Sequence, residues 1–300
     1  MNTMKSGIWN AVGAYFLWGI FPIYWKLLAH VPAVQIIGYR VLFSFFTLLV
    51  IISLRREWGS LLRSAKDRRI LLTYVLTGVL LNLNWMIYVW GVTTGHIVET
   101  SLGYFINPLL SVLFGVIFLR ERLRPLQWIP LGMVLAGILS LTFAYGTLPW
   151  IGLSLAVTFA LYGLIKKIAP LGALHGLTLE TGVMFSPCVV FLLLLHIEGS
   201  GALGTSGWIS DLLLVGAGTV TVLPLLMFAR AARSIPLWLV GLLQYIAPTL
   251  QFLIGVLIYA EPFGNERLAG FAIIWVALLI FWLESFVHRG RRTAQVTADR

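Results

Sequence analysis

Residues 101–121, SLGYFINPLLSVLFGVIFLRE, align without gaps with residues 241–261, GLLQYIAPTLQFLIGVLIYAE, at an offset of 140 positions. Coincident Leu, Ile and Val are common in membrane sequences, so the shared proline, the shared Gly-Val step and the shared terminal Glu are the most informative. The eight identical pairs are Leu102/Leu242, Ile106/Ile246, Pro108/Pro248, Leu110/Leu250, Leu113/Leu253, Gly115/Gly255, Val116/Val256 and Glu121/Glu261. The chain therefore contains an internal repeat, which is only faint in its first 100 residues.

Ten apolar stretches, two of which hold the repeated segments, are long enough to cross a bilayer. Each has about the 20 residues that a helix needs to span a hydrocarbon core of roughly 30 Å. We expect helices because lipid offers the backbone no hydrogen-bond partner, and because the stretches are too long and too uniformly apolar for barrel strands. The predicted spans are 7–28, 33–54, 70–91, 97–119, 126–144, 149–168, 176–197, 209–229, 236–259 and 267–287.

The repeated segments are the fourth and ninth spans, so each repeat holds five spans and the second copy has the opposite orientation. We therefore predict an all-α polytopic membrane protein with ten transmembrane helices in two inverted five-helix repeats. It would be a single membrane domain over 1–300, with repeat one at about 6–146, repeat two at about 147–287 and a cytoplasmic tail at 288–300. Inverted repeats are typical of secondary transporters, because two similar halves can exchange conformations around one central site.

The distribution of positive charge predicts the orientation of the chain. Cytoplasmic loops near the membrane collect Lys and Arg, and 18 of the 21 Lys and Arg residues fall on one side if ten helices alternate. Of the other three, Lys26 and Arg267 lie at span ends on the opposite side, and Arg40 lies within a span. We expect both termini to be cytoplasmic.

The composition excludes several classes of protein. The chain is 59% hydrophobic and 11% charged, against about 45–50% and 25% in soluble globular proteins, so most of it must face lipid. The net charge of +10 is spread over separate short loops, so we expect no nucleic-acid partner. Without metal-ligand spacing, a GxSxG elbow or a GxxxxGKS loop, we expect no enzyme activity, no cofactor and no metal. Cys188 is alone, which rules out an intramolecular disulfide.

Pro108 and Pro248 lie at matching positions near the middle of their spans. Each removes one backbone hydrogen bond and frees the carbonyl four residues earlier, which belongs to Tyr104 or Gln244. We predict a paired hinge beside a cavity at the membrane midplane. The alternative is that these prolines are simply tolerated, as many are in transmembrane helices.

Polar and aromatic side chains at mid-membrane depth are candidates for substrate binding, because polar groups are costly there unless they face protein or water. Asn82 and Asn84 lie about 200° apart on a helix, so only one can face a cavity and the other is expected to serve helix packing. The aromatic residues could bind a ring-containing substrate or belong to the core. The substrate-binding candidates are Tyr15, Trp18, Arg40, Asn84, Trp85, Tyr88, Tyr104, Asn107, Thr221, Gln244, Tyr245 and Gln251.

Two charged residues inside spans have open roles. Arg40 could bind an anion or contribute to gating, or it could snorkel to the outer surface. Glu180 lies near the inner end of its span, too far from Arg40 for an ion pair, and it could likewise snorkel to its own surface. Since no carboxylate is expected at the centre of a span, a proton relay through a midplane acid is disfavoured.

Several strings in the chain resemble the RarD branch of the EamA-type drug/metabolite transporter superfamily. They are WGIFPIYWK, GYRVLF, GHIVETSLGYFINPLLSVLFG, LRERLRPLQW and LLQYIAPTLQFLIGVLIYAEPF, and the resemblance covers nearly the whole chain. It implies ten helices in two inverted five-helix repeats and export of small metabolites or drugs across the bacterial inner membrane, with a link by name to chloramphenicol sensitivity. It implies no particular set of binding residues.

The leading hypothesis is a secondary transporter that exports a small metabolite or drug by alternating access. Its cavity is expected to be lined mainly by the first, third, fourth, eighth and ninth spans. The alternatives are a non-transporting membrane sensor or accessory subunit and, third, a membrane enzyme that modifies a lipid or sugar. The expected partners are a small-molecule substrate and the lipid bilayer, and a homodimer is left open.

Overall fold

The computed structural model describes residues 2–93, 97–144 and 150–259, together with helical positions at 272–273, 275–277 and 279–280. Within these residues the regular structure is helical throughout. The α-helices are α1 Asn2–Leu27, α2 Ala33–Leu54, α3 Trp58–Lys66, α4 Arg68–Thr93, α5 Ile97–Leu119, α6 Trp128–Ala144, α7 Trp150–Ile168, α8 Ala173–Ile197, α9 Trp208–Ser234, α10 Leu237–Gln244 and α11 Ile246–Leu257, with a 3-10 turn at Pro125–Gln127.

Each of the first nine predicted spans coincides with helical structure. The ninth span is divided between α10 and α11, and α3 corresponds to no predicted span. Most of the tenth predicted span, 267–287, lies outside the described residues. Five of the described helices, α2, α4 and α7 to α9, are long and apolar enough to cross a membrane by length and composition. The all-helical membrane class is thus confirmed, while ten spans in two inverted repeats stays a prediction.

Two local features differ from the predicted spans. The 55–69 segment, which lies between two predicted spans, contains α3, whose Leu61 is buried while Leu62 and Arg63 are exposed. The ninth span is interrupted at Tyr245, where α10 ends and α11 begins. Pro248 explains the interruption, because it cannot donate a hydrogen bond to the carbonyl of Gln244. Pro108 also lies inside a helix, but α5 continues through it.

The helices pack in a pattern of exchanged partners. α1 packs on α9 and on α11. After a shift of five spans, α7 corresponds to α1, α4 to α9 and α5 to α11. The matching contacts are present, because α7 packs on α4 and on α5. In the same way α8 corresponds to α2, and α8 packs on α4 as α2 packs on α9. The two corresponding helices α2 and α8 also contact each other. A pseudo-two-fold relation between two five-span halves would produce this exchange.

Small residues bring particular helices close together, as is typical of membrane interfaces. A Cβ atom on Gly218 of α9 would overlap the main chain of Phe43 on α2, and one on Gly78 of α4 would lie 3.0 Å from the carbonyl oxygen of Glu180 on α8. These two contacts fix the distances between α2 and α9 and between α4 and α8, and both pairs of helices carry polar side chains described below.

Candidate functional site

Arg40 is the centre of the candidate site. It lies on α2, seven residues after Ala33, and its Nε donates a hydrogen bond of 3.0 Å to the Thr221 hydroxyl on α9. Its guanidinium carbon is 4.8 Å from the centre of the Trp25 ring and 4.5 Å from that of Trp85. A cation between two indole rings is attracted by both, most strongly where water is excluded. Three other helices therefore hold Arg40 in place.

The charge of Arg40 is not neutralised by a described acidic group. Among the described side chains, no carboxylate lies within ion-pair distance, and the hydrogen bond to Thr221 uses only one of the five guanidinium N–H donors. Arginine at membrane depth is costly unless it is paired or faces a cavity. The two Nη groups are suited to a bidentate contact with a carboxylate or phosphate.

Tyr88 and Tyr104 lie next to this charge, within the range of electrostatic interaction with Arg40. Their ring centres are 5.7 Å apart, and the two rings meet edge to face at 74°. Although both lie deep in the helix bundle, they expose 37% and 36% of their surfaces. Both rings are therefore accessible from outside the protein.

The structure thus brings together five of the predicted candidates, which are Arg40, Trp85, Tyr88, Tyr104 and Thr221. It adds Trp25, which lies near the end of the first predicted span and is not among the sequence-based candidates. Depth did not single out Trp25, because it lies only a few residues from the outer end of the predicted span 7–28, whereas Arg40 lies deeper in the span 33–54. Depth alone does not show which face of α1 turns toward α2.

Tyr15 and Trp18, two of the predicted substrate-binding residues, lie in a packed aromatic layer. Both contact Phe228, with ring centres 6.3 Å and 5.6 Å apart, and Tyr162 stacks on the same Phe228 at 5.8 Å. Tyr15 is fully buried, and its hydroxyl has no partner among the described groups. In this conformation Tyr15 is inaccessible, and Trp18 is partly buried.

Three of the predicted polar candidates, Asn84, Tyr245 and Gln251, form hydrogen bonds that join helices. The Asn84 amide donates to the Leu155 carbonyl at 2.8 Å and to the Thr158 hydroxyl at 2.9 Å, so it is the packing member of the Asn82 and Asn84 pair. The other contacts are Tyr245 to the Phe105 carbonyl at 3.1 Å, Gln251 to the Trp18 carbonyl at 3.1 Å, and the Ser111 hydroxyl to Asn107 at 3.4 Å, while Gln244 is buried.

A second polar group, absent from the sequence-based candidates, lies between α4, α7 and α8. Lys166 and Glu180 form an ion pair of 2.8 Å, and their side chains are only 3% and 1% exposed. The Glu180 carboxylate also accepts hydrogen bonds from the Thr77 hydroxyl at 2.7 Å and the Tyr162 hydroxyl at 3.4 Å. Glu180 therefore does not snorkel to its surface, because neighbouring helices enclose it and supply a cation.

The chain spacing of Lys166 and Glu180 could have revealed this pair. The short turn between α7 and α8 places residues near the end of one helix beside residues near the start of the next. Counting both residues from that turn would have put an opposite charge close to Glu180 at the same end of the bundle. Lys166 had instead been counted with the basic residues of the cytoplasmic loops.

A small cavity lies between the two polar groups. Its volume of about 10 Å³ is close to the least that holds one water molecule. Polar side chains of Ser44, Asn82 and Thr181 contribute to its lining, as do Glu180 and Trp85. Trp85 therefore borders both this cavity and the guanidinium of Arg40.

Hydrogen bonds join the chain at the end where the positive charge predicts the cytoplasm. The Glu121 carboxylate accepts from the backbone N–H groups of Leu237 and Trp238 at 2.7 Å and 3.0 Å. Lys167 donates to the Ile235 carbonyl at 2.5 Å, and Arg233 donates to the Ala169 carbonyl at 2.8 Å. These contacts close the bundle at that end.

Some of the known proteins similar to this chain are transporters by name. A profile of the EamA-like transporter family matches residues 5–143. The uncharacterized transporter YojE of Bacillus subtilis is 43% identical over 284 residues, covering 93% of this chain and 94% of that protein. Protein RarD of Escherichia coli is 38% identical over 291 residues, covering 97% and 98%.

Two further comparisons extend the similarity. The chloramphenicol-sensitive protein RarD of Pseudomonas aeruginosa is 30% identical over 296 residues, covering 93% of this chain and 94% of that protein. A crystal structure that covers 93% of this chain and 98% of its own has a TM-score of 0.68 at 18% identity. At that identity the crystal structure shows the fold alone.

Proposed function

Since the chain belongs to the RarD branch of the EamA-type drug/metabolite transporter superfamily, we propose that it is a secondary transporter that exports a small metabolite or drug by alternating access. As a multi-pass protein of the bacterial inner membrane it is surrounded by lipid on most of its surface. The exchange of helix partners between the two halves supports alternating access, because equivalent contacts can form on either side of a pseudo-two-fold axis.

The observation that carries the proposal is Arg40, a cation held in place beside two exposed tyrosines. Its Nη groups bind an anionic group of the substrate, which neutralises the charge that the described acidic residues leave uncompensated. Tyr88, Tyr104 and Trp85 contact the remaining, partly apolar portion. A small molecule that combines a carboxylate or phosphate with a ring fits this arrangement.

A binding screen on the purified, detergent-solubilised chain tests the site. We expect a subset of amino acids, aromatic metabolites and chloramphenicol to raise the apparent Tm of the wild-type protein, since a ligand that binds only the folded state stabilises it. Arg40→Gln should abolish the shift for anionic compounds, and Arg40→Lys should not restore it because an ammonium lacks the planar fork. The matched control is Arg230→Gln, which removes an exposed arginine of α9.

Transport is tested with the same compounds in proteoliposomes. The wild-type protein should exchange internal unlabelled for external radiolabelled compound, and Arg40→Gln should lose this exchange while Arg230→Gln keeps it. A protein that binds a compound but moves none of the compounds would be a sensor or accessory subunit, and the transport proposal would be wrong. Product formation without movement would indicate an enzyme.

A further inference from the structure

We propose that the buried Glu180 and Lys166 pair is a proton-binding site that couples a pH gradient to substrate movement. The inference rests on the proposed transport function and names its coupling ion. Ionisable residues inside membrane bundles usually belong to substrate, ion or proton pathways. Nothing in the Arg40 site requires this second polar group, because the two are joined by no ion pair among the described residues.

The surroundings of Glu180 provide what a proton site needs. Its carboxylate has three partners, the Lys166 ammonium and the Thr77 and Tyr162 hydroxyls. The protonated carboxyl group could therefore still form hydrogen bonds with the two hydroxyls. Taking an ion pair out of water is expensive, and breaking it inside the protein leaves an uncompensated charge. A proton on Glu180 removes the negative charge when the ammonium withdraws.

The other titratable groups nearby do not compete for this role. On α4, Tyr74 faces Lys166, with the ammonium 5.5 Å from its ring centre. On α9, Arg233 donates to the carbonyls of Ala169 and Leu171. On α8 itself, Nε2 of His175 lies 3.1 Å from the carboxylate of Glu57, which directly precedes α3. Among these described neighbours, Lys166 alone forms an ion pair with Glu180.

The location of Lys166 and the cavity give the proton a path at both ends. Lys166 is two residues from the end of α7, so opening of the bundle at that end would let water reach the ammonium and draw it away from Glu180. On the other side, Glu180 borders the cavity that is large enough for about one water and reaches Trp85. The balanced step is the addition of one proton to the carboxylate to give the neutral acid, and its return to water when Lys166 pairs again.

Protonation is tested first without any substrate. Infrared difference spectra of the purified full chain between alkaline and acidic pH should show the C=O stretching band of a protonated buried carboxylic acid. Glu180→Gln should lose this band, whereas the control Glu198→Gln, an exposed glutamate just after α8, should keep it. A wild-type band that persists in Glu180→Gln, or no band at all, would overturn the proposal.

Coupling is tested in proteoliposomes with radiolabelled L-phenylalanine and chloramphenicol. An imposed pH gradient should drive accumulation by the wild-type protein, and Glu180→Gln should lose this accumulation but keep exchange without a gradient. If Glu180→Gln does not fold, Glu180→Gln combined with Lys166→Met removes both charges and should show the same loss. Equal gradient-driven accumulation in the wild type and the variant would contradict proton coupling through Glu180. A wild-type protein that exchanges neither compound would contradict transport of these two probes, and the infrared result would then decide on proton binding alone.

Discussion

At the scale of single residues, the orientation of Arg40 depends on one hydroxyl group. Thr221→Val removes the acceptor of the Nε bond and keeps nearly the same side-chain shape. Losing a hydrogen bond to a charged group inside the protein should cost about 1.5–3 kcal/mol. We expect a lower apparent Tm of the purified protein and weaker binding of the anionic compounds that stabilise the wild type.

The control for this change lies on the same helix. Thr219 is exposed and bonds to Thr47 at 3.1 Å, so Thr219→Val should change stability by no more than about 0.5 kcal/mol. If both variants behave alike, the Arg40 contact does not organise the site. Thermal unfolding and a binding titration, measured on both proteins under the same conditions, make the comparison.

Chemistry and depth in the membrane predicted several residues of the site, but they did not predict which residues each of them contacts. The cost of polar and charged groups in a membrane singled out Arg40 and Thr221, and these two do lie together. The same reasoning gave Tyr15 and Asn84, which the fold assigns to a packed aromatic layer and to a contact with α7. Which face of a helix meets its neighbour depends on tertiary packing, so depth alone could not separate these cases.

At the scale of helices, Gly218 sets the approach of α2 and α9 and therefore the reach of Arg40 to Thr221. Gly218→Ala would place a methyl group against the main chain of Phe43, and backbone cannot move aside as a flexible side chain can. Overpacking of this kind costs about 1–3 kcal/mol. We expect a lower apparent Tm and reduced binding of anionic compounds, even though residue 218 is not expected to touch them.

Gly132 provides the matched substitution. It lies exposed on α6 with open space around the position of a Cβ atom, so Gly132→Ala should leave both stability and binding unchanged. Equal losses in the two variants would mean that alanine is poorly tolerated in these helices generally. A loss in Gly218→Ala alone ties the geometry of the site to the packing of α2 on α9.

Helix positions followed from hydropathy because backbone hydrogen bonding in lipid leaves the chain little choice. The details that hydropathy missed have local causes. α3 is too short and too polar to appear as a span, with Arg63 and Lys66 in its last turn. The break at Tyr245 arises from Pro248, yet Pro108 at the matching position leaves α5 continuous, so the sequence could not tell which proline would interrupt its helix.

At the scale of the whole molecule, the repeat of residues 101–121 in residues 241–261 and the exchange of helix partners point to the same symmetry. The repeat was visible only around the fourth and ninth predicted spans, because lipid-facing positions accept any apolar residue and lose their similarity quickly. The helix contacts extend this symmetry to parts of the chain whose sequences no longer match, because the packing of α2 on α9 is repeated in the packing of α8 on α4.

The orientation of the two halves is a prediction of the charge distribution that chemical labelling can test. With both termini cytoplasmic, Lys66 at the end of α3 lies inside and Thr205, between α8 and α9, lies outside, and both residues are exposed. In a Cys188→Ser background that removes the single native thiol, an impermeant thiol reagent added to intact cells should label Thr205→Cys and not Lys66→Cys until the membrane is permeabilised. Equal labelling of both positions in intact cells would mean that an even number of spans separates them, and then the two halves could not be inverted around a shared site.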